Sequence, residues 1–203
     1  MLFNVLGPNV RLATLLVISA CLGNSVLATD VSYNPVVSDL FGDTIDSIPT
    51  GSEFYLTVYV EDQRDVDPIG VFSAFTNVTY DSTLVESVDP ITHSSFYPNA
   101  KSGSVLDGQL FEAGGVSGPN SLDGESYEVF RVKMTSGSTV GDLTFATTSV
   151  ADQINHPTLL YGGNDPITDI DFGSVTLNIV PEPGGLVLLF TCGLAALGLR
   201  RRT

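Results

Sequence analysis

Few side chains in this chain of 203 residues could do chemistry, and its two histidines come first. His93 stands in Asp89-Pro-Ile-Thr-His93-Ser-Ser95 and His156 in Gln153-Ile-Asn-His156-Pro157, both in loop-like surroundings. A hydrolytic triad needs a serine presented beside an imidazole, and no Gly-x-Ser-x-Gly elbow occurs to present one. A zinc site needs histidines at ligand spacing or cysteines near them, whereas Cys21 and Cys192 lie near the two ends of the chain. Gly114-Gly115 does not stand between a strand and a helix, so it does not read as a phosphate-binding loop.

Carboxylates are the remaining reactive groups. All 23 acidic residues fall between Asp30 and Glu182, against Arg64, Lys101, Arg131 and Lys133 in the same stretch, a net charge of −19. Such a field repels nucleic acid and anionic membrane surfaces and suits divalent cations, a basic partner or plain solubility. Glycoside hydrolysis would need two carboxyl groups roughly 5–10 Å apart with one held protonated. So many acids satisfy that spacing by chance, and no tryptophan is present to stack on a sugar. Tyr55 and Tyr59 are the best substitutes, or else half-buried strand residues. A secreted carboxylate-pair hydrolase is therefore the remote alternative, and no enzyme activity is expected. For calcium, Asp62, Asp65 and Asp67 form one oxygen-rich segment and Asp165, Asp169 and Asp171 another. Calcium takes six to eight oxygen ligands, which such loops can supply. Neither segment has EF-hand spacing, so solvated turn aspartates are the competing reading. Asn77-Val-Thr79 matches a glycosylation acceptor pattern, with an ordinary strand residue as the equal alternative for Asn77.

The elements that carry these residues read as β. In Glu53 to Glu61, Phe54, Leu56, Val58 and Val60 alternate with Tyr55, Thr57 and Tyr59, the period of a strand with one buried face. Gly70 to Asp81 places Phe72, Ala74, Val78 and Tyr80 on one face. In Tyr127 to Met134, Phe130, Val132 and Met134 turn inward while Arg131 and Lys133 stay wet. Leu143 with Phe145, and Val175 with Leu177 and Ile179, mark two later strands. Shorter strands are expected at Val31 to Val37, Leu84 to Val88 and Leu110 to Ala113. Turn-rich stretches such as Ser117 to Gly124 and Gly162 to Pro166 separate them. Many short strands with such punctuation predict one all-β domain, an antiparallel two-sheet sandwich over residues 29–180. It contains no cysteine, so its stability must come from its apolar core.

Within that pattern, Val71-Phe-Ser-Ala-Phe-Thr-Asn-Val-Thr-Tyr-Asp-Ser-Thr-Leu-Val85 resembles the segment of cohesin-like sandwich modules in which a strand ends in an aromatic–Asp pair followed by a leucine. Glu128 to Met134 followed by Thr139 to Phe145 is similar to their later strand pair. The resemblance implies a cohesin-like or immunoglobulin-like sandwich. It also implies an alternative role, a module binding a protein or polysaccharide ligand with calcium holding its loops.

Both ends read as addresses. Arg11 precedes an apolar run from Leu12 to Leu22, and Val26-Leu-Ala28 offers small residues at cleavage spacing, so residues 1–28 read as a signal helix removed between Ala28 and Thr29. Ile18-Ser-Ala-Cys21 also resembles a lipobox, which would make Cys21 a lipidated N-terminus. At the other end Pro181-Glu182-Pro183 is followed by an apolar run, Leu186 to Leu199, and by Arg200, Arg201 and Arg202. Residues 184–199 would span about 24 Å as a helix, short of a hydrocarbon core of about 30 Å, and the arginines favour the cytoplasmic face. Residues 181–203 resemble the PEP-CTERM sorting tail of bacteria that secrete exopolysaccharide. That resemblance implies recognition at Pro181, Glu182 and Pro183 by a membrane-embedded exosortase, with the arginines as a cytoplasmic stop. The expectation is an exported structural or adhesive protein of the cell surface or extracellular matrix, touching the membrane through its hydrophobic sorting helix.

Overall fold

The computed structural model describes residues 30–64, 68–120, 126–182 and 184. The expected signal helix, its cleavage site at Ala28 and Thr29, the sorting helix, Pro183 and Arg200 to Arg202 lie outside the described residues. Among the described residues no helix is long and apolar enough to cross a membrane. The strands of the described residues follow in order: β1 (Val31–Ser38), β2 (Ser47–Pro49), β3 (Glu53–Asp62), β4 (Val71–Thr79), β5 (Val85–Val88), β6 (Thr92–His93), β7 (Asn99–Leu106), β8 (Gln109–Val116), β9 (Tyr127–Ser136), β10 (Gly141–Thr148), β11 (Leu159–Leu160), β12 (Ile170–Phe172) and β13 (Ser174–Val180).

They form the two sheets of a sandwich. One runs β12-β1-β3-β9-β5, with β6 also on β9. The other runs β2-β13-β10-β4-β8-β7, with β11 also on β4. The alternation in β3 sets the core: Phe54, Leu56, Val58 and Val60 are fully buried, and so are Leu143, Phe145, Leu177 and Ile179 of the opposite sheet. The Phe54 and Phe145 rings meet across the gap at 6.1 Å. Each such side chain contributes about 1.5–3 kcal/mol on burial, and with no cysteine between the sheets this core carries the fold.

The expected antiparallel sandwich has two parallel exceptions at its edges, β1 with β12 and β2 with β13. Both arise from one run of chain that changes sheets. Gly173 separates β12 from β13, donates its N–H to Tyr33 O of β1 at 2.9 Å and accepts from Thr147 N at 3.0 Å on β10. A Cβ at this residue would lie 2.8 Å from Tyr33 O, so a glycine is needed where the strand crosses between layers.

The aromatic–Asp–Leu signal has a local cause. Asp81 caps a single 3-10 turn, Ser82–Leu84, its carboxylate accepting from Thr83 N at 2.9 Å and Thr83 Oγ1 at 2.7 Å. The turn delivers Leu84 into the core, so the strand expected from Leu84 begins one residue later. Alternation along β4 misses Phe75, which faces away from Ala74 and Val78 yet is 2% exposed because the 149–158 segment covers it.

Candidate functional site

The outer face of the β1-β3-β9 sheet carries a groove. Register places Thr57 at its centre, with Val36 of β1 on one side and Arg131 of β9 on the other. Tyr55 and Tyr59 stand on either side of Thr57 along β3, four residues or about 13 Å apart. A short threonine between two tall rings leaves a notch, and Thr57 is 7% exposed at its floor although it faces away from the core.

Strict alternation would send Glu128 and Arg131 to opposite faces of β9. A β-bulge prevents this: Val58 pairs with Phe130 but Tyr59 pairs with Glu128, so Val129 is an extra residue, fully buried. Such a bulge re-aims everything beyond it. Glu128 therefore joins Arg131 on the outer face, and both line the groove with the tyrosines. The Arg131 guanidinium carbon lies 5.4 Å from the centroid of the Tyr55 ring, within cation–π range. Lys133, opposite Tyr55, is instead occupied by Glu53 at 3.0 Å and Asp89 at 3.5 Å. Burial and the neighbouring Glu128 push the Tyr59 hydroxyl up, with Arg131 partly opposing, so Tyr59 stays a neutral donor.

The lip of the groove is the loop after β1. Asp39 Oδ1 accepts from Phe41 N at 2.8 Å and Asp43 N at 3.0 Å, and Asp39 N donates to Asp43 O at 2.9 Å. These bonds and a positive φ at Gly42 fix a tight turn that holds Leu40 and Phe41 out in water, 48% and 94% exposed. The groove encloses about 240 Å³.

The aspartates weighed as calcium ligands against solvated turn residues fare unevenly. Asp62 is buried, and its oxygens accept from Arg64 Nε at 2.8 Å, Arg64 Nη2 at 2.7 Å, and the backbone N–H groups of Arg64, Ile69 and Gly70. It is a structural anchor that ties Arg64, Ile69 and Gly70 to the end of β3, with its oxygens already engaged. Asp65 and Asp67 lie outside the described residues. Asp165, Asp169 and Asp171 are exposed. Among the described residues no three His, Cys, Asp or Glu side chains gather as a metal site.

Among the described residues neither histidine ring hydrogen-bonds a serine hydroxyl. His93 Nε2 meets Ser102 O at 2.8 Å. His156 Nδ1 lies 3.1 Å from Glu112 Oε2, without the alignment of a good hydrogen bond, and its ring sits 4.7 Å from that of Phe75. Glu112 has φ +49, rare for a side chain of its kind, at a second bulge where β8 passes β4. Its N–H leaves the ladder and donates to Asn77 Oδ1 at 2.7 Å, while Asn77 Nδ2 donates to Ser149 O at 2.8 Å. In the folded domain Asn77 is a strand residue: it is 6% exposed and both ends of its amide are in use. Asn77→Ala is expected to cost about 1–2 kcal/mol, measured as a lower urea midpoint, because the buried amide's two part-buried hydrogen bonds are lost.

At the chain's exit, Val180 pairs with Pro49 and its carbonyl accepts from Thr50 N at 2.9 Å. Pro181 and Glu182 follow at once and are exposed.

No protein-family model matches the chain, and no curated protein matches it. Several solved structures do. A non-cellulosomal cohesin from the hyperthermophilic archaeon Archaeoglobus fulgidus is similar at a TM-score of 0.50 and 16% identity, over 76% of this chain and 95% of that one. CaCohA2 from Clostridium acetobutylicum is similar at 0.51 and 11% identity, over 75% and 92%. A chain of a CaDoc0917–CaCohA2 complex gives 0.51 at 12% identity, over 74% and 99%. At such identities the likeness speaks for architecture alone: the described domain is an all-β sandwich of cohesin-like fold.

Proposed function

We propose that this chain is an exported recognition module that binds a protein partner at the cell surface or in an extracellular matrix, without catalysis. The observation that carries this reading is the fold, shared with cohesin modules of which one stands in a complex. The acidic surface supports it, since a net charge of −19 between Asp30 and Glu182 favours solubility and a basic partner. Residues 1–28 take the chain out of the cytoplasm, residues 29–180 form the binding domain, and residues 181–203 are a PEP-CTERM-type tail. An exosortase-type enzyme acts on that tail at or near Pro181 to Pro183. The exposure of Pro181 and Glu182 directly after the last strand is compatible with that access.

Two experiments test the parts separately. Photo-crosslinking on intact host cells is expected to trap one protein at fixed stoichiometry; release of sugar from host polysaccharide by the purified chain would overturn the non-catalytic reading. Replacing Pro181, Glu182 and Pro183 by alanine is expected to leave the tail attached, seen in the intact mass of protein recovered from the host. An unchanged mature C-terminus would remove the sorting reading.

A further inference from the structure

The groove over Thr57 lies on a sheet face, and its lining is specific enough to name a ligand class. We propose that it binds one neutral sugar ring of a polysaccharide, as a site separate from the protein contact.

Shape sets the first limit. The roughly 240 Å³ it encloses is below the 300–1,000 Å³ range of pockets for drug-sized ligands. The two tyrosine walls and the turn at Leu40 and Phe41 close it to a single ring rather than to a long segment. A peptide adding to a sheet needs an unpaired edge for its backbone, whereas β3 is an interior strand with β1 and β9 on its sides.

Charge sets the second. Arg131 makes no ion pair among the described residues, and Glu128 lines the same groove, so the site presents one donor fork and one acceptor of opposite sign. A pair of neighbouring hydroxyls fits both, accepting from the guanidinium while donating to the carboxylate. A sugar acid would satisfy Arg131 but meet Glu128 and a domain with 22 acidic residues. A neutral ring meets neither objection. Its C–H face can lie against the tyrosine rings, whose hydroxyls add polar contacts. Phe41, held in water by the Asp39 turn, supplies a further apolar surface at the rim.

Affinity electrophoresis of the full-length chain in non-ionic detergent reads this directly, using native gels cast with β-glucan, galactomannan, xyloglucan, dextran or polygalacturonate. The expected result is retardation in at least one neutral gel and none with polygalacturonate. Tyr59→Ala and Arg131→Ala should each weaken the retardation about tenfold or more, the loss expected for a charge-assisted hydrogen bond or a good aromatic contact. Ile154→Ser, exposed on another loop, should not change it. Phe41→Ser makes no change to the core and keeps the test decisive should a strand variant fold poorly. Retardation in no neutral gel, by polygalacturonate alone, or unchanged in Tyr59→Ala, Arg131→Ala and Phe41→Ser overturns the inference. Crosslinking to the protein partner should survive in these variants. If it were lost while the gels gave no retardation, the groove would be the protein contact, and the sugar inference would fall while the recognition reading stood.

Discussion

Gly114→Ala is expected to destabilise the sandwich by about 3 kcal/mol or more, read as a fall in the urea midpoint at unchanged slope. A Cβ at this position would lie 1.9 Å from Ala74 O and 2.7 Å from Phe75 Cα. Both are backbone atoms of β4, which pairs with β8 at Phe75 and Gly114. A flexible side chain could swing away; a ladder strand cannot. Admitting one methyl group means prising apart two interior strands and losing the hydrogen bonds around them. Domains of this size hold about 5–15 kcal/mol in all, so the loss is a large share. Gly118→Ala, with open space around its Cβ position, is the matched control and should change little.

Asp62→Ala should cost about 3–5 kcal/mol, because it leaves a half-buried guanidinium and several inward N–H groups without their acceptor. The effect has a pH signature. Burial pushes the Asp62 carboxyl up, but hydrogen bonds from the Arg64 side chain, then from the backbone of Arg64 and Gly70, outweigh it and hold the group below its usual range. A carboxyl lowered in the folded state stabilises fully above its unfolded value near 4, and that stability is lost as pH falls through the lower folded value. Wild type should therefore weaken as pH drops below about 4, and Asp62→Ala should show a smaller change over the same range. Equal slopes in both proteins would mean that other carboxylates set the acid limit.

These two anchors differ in how far the sequence displays them. Strands with one dry face were legible, since Phe54 to Val60 and Phe130 to Met134 alternate as a half-buried sheet requires. The β7 strand was not, because it is an exposed edge whose Asn, Lys and Ser residues carry no apolar alternation. The tyrosine pair of the groove could be read from β3 alone. Glu128 could not, because an extra residue at Val129 shifts its face and nothing local in Tyr-Glu-Val-Phe announces a bulge. Asp62 looked like a metal ligand for the same reason that it is an anchor: an acid beside a loop can accept from a cation or from N–H groups. Which of these it meets depends on where Arg64, Ile69 and Gly70 lie in space, and spacing does not encode that.

The sheet switch at Gly173 bears on how the domain would carry load. Val31 lies opposite Asp62 at one end of β3, whereas Val180 lies by the turn at Pro49 to Gly51 that leads into the other. The chain thus enters and leaves at opposite poles, roughly 30 Å apart along ten residues of strand. Were the domain held through the residues after Val180, tension would pull β13 along its own axis, between β10 and β2, and the ladder bonds on both sides would resist together instead of unzipping in turn. Because forced unfolding follows the unfolding rate, a domain tethered this way should hold under shear from flow while its far pole stays free.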